Sequence, residues 1–335
     1  MPGCTRHRLL ESAFSPPSRR ARRDLARAFE RPVPARRRRR AAVRRPSVAL
    51  AGAAGSRQHG PMDLPTPEAL LAAAESGRSL PAPAPVSGPV DPADRDAALR
   101  VQAGIAALRR ARGERQAGWK IGFTNRTIWP LYGVHQPIWG PVWDTTLVLL
   151  DGTEDTVSIE RLPEPRLEPE IVIGLKASPP PDAVARDPAS TAALLACVDW
   201  VAHGFEIVVS VWPGWKFDAP RGIAAQALHG RLRVGPRVPL AALGADPAGA
   251  LSALRIVLSC DGARVAEGIG ANVLDGPVQA LGHLVAGLAA RGERIAAGAV
   301  VTTGTLTDAQ PLARGQAWRT TIAGAPLPGL SLAVR

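Results

Sequence analysis

The chain has 335 residues, 46% of them apolar and 21% charged, with a formal net charge of +12. That composition leaves room for a sizeable core, and no apolar run reaches the roughly 20 residues of a membrane span. The basicity is local: residues 1–61 hold sixteen arginines against Glu11, Asp24 and Glu30, while the remainder is close to electroneutral. A nucleic-acid-binding body is therefore not expected.

In chain order, the first segment contains "ARRRRRAAVRRPSVALAGAAG", shows no sustained periodicity and is predicted to be a disordered extension over 1–61. A basic arm for nucleic acid or anionic lipid, a short twin-arginine-like export segment and an organellar leader compete with a start-site artefact. Met62 is the only methionine after Met1, and composition changes sharply there, which favours the artefact. Residues 62–117 read as a small helical unit. Thr66, Pro67 and Gly77 bracket one helix; Asp91, Pro92 and Gly113 bracket another, with Ala98, Leu99, Val101, Ile105 and Leu108 as its apolar face. Between them, "PAPAPVSGP" (81–89) is a stiff linker or extended arm.

From Gly118 to Arg335 the texture changes to short strands broken by Gly, Pro and Asp turns: "GWKIGFT", "EIVIGL", "FEIVVSV", "LRIVLSC" and "AVVTTG". Helices are predicted only at about 190–203 and 276–291, the second capped by Asp275. Many strands and few helices make an α+β architecture rather than regular βαβ alternation. The glycines of "EGIGANVLDGP" lack dinucleotide-loop spacing. Cys4, Cys197 and Cys260 are too widely spaced for a disulfide framework or a metal-binding pair, which fits a reducing cytosol.

The chemistry concentrates on acids at strand ends. In "RLEPEIVIGL" Glu168 and Glu170 are two residues apart at the entrance of an apolar strand, so their carboxylates share a face. Glu206 opens another such strand. Like charges so close need a shared proton, a basic partner or a cation. Three carboxylates without Cys or a His pair make a hard oxygen site for Mg²⁺ or Mn²⁺. Solvated strand ends, or acids salt-bridged to arginine, are the alternatives.

The order of these motifs from about Leu64 to Arg335 resembles the fumarylacetoacetate hydrolase superfamily, in its 2-keto-4-pentenoate hydratase and 4-oxalocrotonate decarboxylase branch. "GWKIGFTNRTIWPLYGVHQPIWG" is similar to that branch's G-x-K-I-G-x-T segment, "EPEIVIGL" to its E-x-E metal strand and "FEIVVSVWPGWKFD" to its third-ligand strand. "GIGANVLDGPVQALGHLVAGLAARGERIAAGAVVTTGTLTDAQPLARGQ" matches the C-terminal half. The resemblance implies a mixed β-roll and a Mg²⁺ or Mn²⁺ site on Glu168, Glu170 and Glu206. It also implies a small-molecule 2-oxo acid substrate and a homo-oligomer. Lys120 is then a catalytic and substrate-orienting group, and Thr303, Gly304 and Thr305 form a turn that holds the substrate carboxylate.

The sequence departs from the branch at two places. Its "P-D-F-G" is "PIWG" here, with Ile138 for the acid, and its "A-D-N-A-S" is "AAQALHG", with Ala225 and Gln226. An isoleucine moves no proton, so the proton donor is unassigned; His135 and His229 are candidates. The tryptophans at 129, 139, 143, 212 and 215 are core residues or line a pocket for a bulkier acyl tail. Hydration of a 2-oxo or 2-hydroxydienoic acid is the expected activity, with decarboxylation or acylpyruvate hydrolysis as the enzymatic alternatives. A non-catalytic metal-binding paralogue or a basic-arm nucleic-acid binder is the alternative of another class.

Overall fold

Two mixed sheets carry the fold of this chain, described from a computed structural model over residues 62–83, 90–132 and 134–335. The expected 1–61 extension and most of the proline-rich arm lie outside the described residues. In spatial order the larger sheet runs β2 (Ile138–Trp143), β1 (Gln116–Gly122), β11 (Val300–Thr305), β5 (Arg166–Leu175), β6 (Val198–Val208), β7 (His229–Val234) and β3 (Leu147–Leu149). The short β12 (Gln310–Pro311) pairs with β5, and β8 (Val238–Pro239) with β6. The smaller sheet is β10 (Ala263–Ile269), β9 (Arg255–Cys260), β13 (Ala317–Ala323), β14 (Ser331–Val334) and β4 (Glu154–Val157). Parallel pairing at β1–β11, β3–β7 and β4–β14 within otherwise antiparallel ladders makes both sheets mixed. The α+β roll expected from the sequence is the fold observed.

Strand β5 shows why the centre of the sheet holds. From Pro169 to Leu175 every residue is buried, as a strand covered on both faces requires, and its ten-residue pairing with β6 is the longest ladder. Trp200 on β6 lays its ring on Gly174, where a Cβ would sit 2.0 Å from the indole. That pairing corrects the helix expected over 190–203. Helix α3 (Pro188–Ala196) ends before Cys197, and the β-branched residues after it join the sheet.

Helix α1 (Pro67–Ser76) starts on the Thr66 cap and stops at left-handed Gly77, and α2 (Pro92–Ala111) starts on Asp91, as the sequence predicts. The buried face of α2 differs from the expected one. It includes Gln102 and Arg109, whereas Leu99, Val101 and Leu108 are only partly buried. The polar pair goes inside because partners wait there. Gln102 Nε2 donates to Trp139 O at 3.0 Å and Ile223 O at 2.8 Å, and Arg109 pairs with Glu114 at 2.6 Å. Both helices pack with Val208, Val211, Trp212 and the short α4 (Ala219–Ala224). Helix α5 (Pro247–Ala253) and α4 are too short to announce themselves by periodicity. Helix α6 (Pro277–Ala289) caps on Gly276 rather than Asp275, whose carboxylate is taken by Arg126 at 2.8 Å. Its Leu281, Leu284 and Leu288 close the main core.

Candidate metal and substrate site

The register of the central strands assembles one face of charged groups. Antiparallel pairing sets Glu168 of β5 directly opposite Glu206 of β6. Glu170 follows two residues along on the same face. On the other side of β5, Val172 pairs with Thr302 of β11, which pairs with Lys120 of β1. Lys120 and Thr302 therefore sit in the row beside the acids. Glu168, Glu170 and Glu206 each offer a carboxylate oxygen within 4.8 Å of the other two. The arginine-paired alternative fails here, since the basic partner is Lys120, with Nζ 3.0 Å from Glu206 Oε2 and 3.5 Å from Glu168 Oε2.

Burial makes this grouping costly. Glu170, Glu206 and Lys120 are almost fully enclosed, and the Glu168 side chain is 14% exposed. Burial and the neighbouring acids push Glu170 well above the usual carboxylate range, and burial also raises Glu168 despite Lys120. Burial acts on Glu206 in the same sense, but Lys120 and His229 outweigh it and hold that carboxyl below its ordinary value. Lys120, although buried, is held above its ordinary pKa by the three acids and stays an ammonium. One ammonium faces three carboxyl groups whose charges oppose one another.

The hydrogen bonds show where a cation fits. Glu170 Oε2 accepts from the Gly304 amide at 2.7 Å and from the Thr302 hydroxyl. Glu206 Oε1 bonds to His229 Nδ1 at 2.7 Å. The opposite oxygens, Glu170 Oε1 and Glu206 Oε2, are buried with no hydrogen bond among the described residues. The Lys120 ammonium near Glu206 Oε2 is off the hydrogen-bond direction. Two carboxylate oxygens without hydrogen bonds beside a third acid, all hard donors, fit a divalent cation with Lys120 at its edge.

The Thr303–Thr305 turn is built by an irregularity in the β11–β5 register between Thr302 and Thr305. Gly304 adopts φ +106, where an added Cβ would meet Thr124 Oγ1 at 1.9 Å, so only glycine fits. Two hydroxyls and one amide of the turn have partners within the protein. Thr303 Oγ1 donates to Ile171 O at 2.9 Å, Gly304 N–H to Glu170, and Thr305 Oγ1 to Thr307 O at 2.8 Å. In this structure these groups hold Glu170 and the strand end. Thr302, which sequence reasoning missed, does the same.

Neither altered position supplies a proton. Ile138 is buried with Phe123, Val134 and Phe217, and Ala225 packs at the edge of that cluster. Gln226 turns its Oε1 to the Trp143 indole at 3.1 Å. His135 is exposed. His229 is buried, with Nδ1 facing Glu206 and Nε2 facing Thr146, both within hydrogen-bond distance. Trp143 and Trp212 are fully buried, and Trp212 together with Trp215 joins Phe217, Phe123 and Tyr132 in an aromatic cluster.

Comparison with known proteins decides the family. The 2-hydroxyhexa-2,4-dienoate hydratase of Comamonas testosteroni is 32% identical over 228 residues, covering 68% of this chain and 82% of that enzyme. The chain belongs to the 2-keto-4-pentenoate hydratase and 4-oxalocrotonate decarboxylase branch of the fumarylacetoacetate hydrolase superfamily. Another relative in this branch, the 4-oxalocrotonate decarboxylase of Pseudomonas sp. strain CF600, is 32% identical over 218 residues, 65% of this chain and 78% of that enzyme. The solved 4-oxalocrotonate decarboxylase from Pseudomonas putida G7, complexed with magnesium and adipate, superposes with a TM-score of 0.68 at 28% identity. The match covers 80% of this chain and 95% of that one. No protein-family model matches the chain. Branch membership makes this chain one of a family of enzymes. Among the described residues no helix is long and apolar enough to cross a membrane.

Proposed function

We propose that this chain is a Mg²⁺- or Mn²⁺-dependent hydro-lyase that hydrates 2-oxo or 2-hydroxydienoic acids, as in the breakdown of aromatic compounds. The observation that carries the reading is the trio of carboxylates with two buried oxygens free of hydrogen bonds among the described residues, one of them ion-paired to Lys120. The 32%-identical dienoate hydratase supports the reaction. When bound, the cation supplies Lewis-acid polarisation of the substrate's 2-oxygen and a counter-charge for its carboxylate. Glu168, Glu170 and Glu206 would hold it. Lys120, kept charged by its carboxylate neighbours, orients the substrate's carboxylate as a donor and does not act as a base. The Thr303–Thr305 turn keeps Glu170 aimed and borders the head-group end of the site. A cytosolic homo-oligomer acting on a small molecule, without nucleic acid or membrane, completes the reading.

A second reading rests on Ile138. Where hydratases of this branch carry an acid, this chain is apolar, and decarboxylation of a 2-oxo acid needs the same electron sink but no acid that activates water. The likeness to a 4-oxalocrotonate decarboxylase favours it further. One experiment separates the two. The Mg²⁺-loaded protein is offered 2-hydroxyhexa-2,4-dienoate, followed by loss of its ultraviolet absorbance, and 4-oxalocrotonate, followed by release of CO₂. Chelator-sensitive loss of the dienoate supports hydration; CO₂ alone establishes the second reading; turnover of neither overturns both.

A further inference from the structure

We infer that His229, backed by Thr146, is a positioning residue for this site. It fixes the Glu206 carboxylate through Oε1 and leaves Oε2 to face the cation. The inference rests on the three-glutamate reading but assigns a residue that reading leaves unused.

Hydrogen-bond accounting carries it. Trp143 and Thr146 close the turn between β2 and β3: the Thr146 amide donates to Trp143 O at 3.0 Å, and the Trp143 amide donates to Thr146 Oγ1 at 3.2 Å. The Trp143 carbonyl, with a second lone pair free, also lies 3.0 Å from the Thr146 hydroxyl. The hydroxyl has one proton for two acceptors, Trp143 O and His229 Nε2 at 2.8 Å, and the Glu206 side decides. A carboxylate only accepts, so Nδ1 carries the ring proton and Nε2 is left to accept from Thr146. A neutral imidazole that accepts at Nε2 carries its proton on Nδ1, and Nδ1 faces Glu206 Oε1 at 2.7 Å. Every donor in this series then has one acceptor, and Glu206 Oε2 ends it without a hydrogen bond among the described residues. The imidazole side chain is 1% exposed, so bulk water does not replace it.

The backbone goes to some cost to deliver this ring. Gln226, Ala227 and Leu228 take left-handed φ values of 55°, 53° and 66° in succession. Residues with a Cβ rarely adopt this conformation, and three in succession are rarer still. They turn the chain into β7 so that His229 opens the strand opposite Val208, two residues beyond Glu206 on β6. Conformations of this kind persist where the surroundings over-determine them.

The test titrates Mn²⁺ by calorimetry into the full chain as wild type, His229→Leu, His229→Asn and Thr146→Val, with thermal unfolding of each metal-free protein alongside. His229→Leu is expected to weaken Mn²⁺ about 10–100-fold, the usual effect of losing such a partner. His229→Asn restores most of the affinity, because its amide donates from nearly the position of Nδ1. Nitrogen-15 NMR of the metal-free wild type shows His229 as the Nδ1–H tautomer. A folded His229→Leu that binds Mn²⁺ as wild type does overturns the inference, as does the Nε2–H tautomer. If His229→Leu does not fold, Thr146→Val decides, and an unchanged affinity there counts against the relay. Wild type that binds no Mn²⁺ removes the site reading and the inference together; wild-type binding with an indifferent His229→Leu removes the inference alone.

Discussion

Glu170→Gln separates a metal ligand from a structural acid by the sign of its effect. The carboxylate keeps Oε2 on Gly304 N–H and the Thr302 hydroxyl, and a glutamine oxygen can occupy that place. Its amide nitrogen then falls where the unpaired Oε1 was, bringing donors to a spot that faces Glu168 and Glu206. In the metal-free protein this removes one of three acids whose oxygens lie within 4.8 Å of one another. At an effective dielectric of about 20, each like-charge contact at that range costs roughly 3 kcal/mol. Lys120 offsets part of this, and the raised Glu170 pKa means that a proton already relieves some of it. A net gain of about 1–3 kcal/mol is expected, or about 2–8 °C in melting temperature for a chain of this size. Thermal unfolding with chelator and then with excess Mn²⁺ is the assay. The variant melts at or above wild type without metal and gains nothing from Mn²⁺, whereas wild type rises. A variant that melts several degrees below wild type without metal, or still rises with Mn²⁺, refutes the reasoning.

Other consequences follow from the same geometry. Lys120→Met removes a positive charge 3.0 Å from Glu206, so Mn²⁺ binds at least as tightly by calorimetry while the tightening caused by added oxalate is lost; a large fall in metal affinity contradicts this role. Gly304→Ala must place a Cβ 1.9 Å from Thr124 Oγ1 at φ +106, costing about 2–5 kcal/mol in urea unfolding and weakening Mn²⁺ by moving the amide off Glu170. His203 is buried between Glu170 O and Thr320, and burial lowers its pKa to about 4. Its folded pKa lies below the unfolded value of 6.5, so the unfolded chain takes up protons first as pH falls, and stability drops across that window. The chelator-treated wild type should lose about 2–3 kcal/mol more between pH 7 and 4.5 than His203→Leu does, from a shift worth about 1.4 kcal/mol per pH unit. Parallel slopes for the two proteins count against a buried neutral His203.

Much of the site was legible because it depends on short-range periodicity. Two acids two residues apart on an apolar strand must share a face; the third acid, expected to open its strand, instead lies near the end of β6, because residues from Val198 on already pair with β5. The rest depends on register, which no local pattern states. Thr302 enters the site because β11 pairs out of step with β5 after it, and His229 reaches Glu206 from 23 residues away while bonding Thr146 from 83. The helix expected over 190–203 failed for a related reason. Ala and Leu carry a helical signal up to Ala196, but the following residues find a ten-residue partner in β5, and tertiary pairing wins. Gln102 and Arg109 sit inside because their acceptors come from β2, α4 and the loop before β1, none visible from α2 itself.

The most direct test of the account is calorimetric binding of Mn²⁺ to the full chain, alone and with oxalate, after subtracting a protein-free titration of Mn²⁺ into oxalate. Oxalate presents the adjacent oxygens of a 2-oxo acid head and requires no guess about the acyl tail. The account predicts one site per chain, tightened by oxalate and abolished in Glu170→Gln. Binding that is indifferent to oxalate, or no binding in wild type, would contradict it.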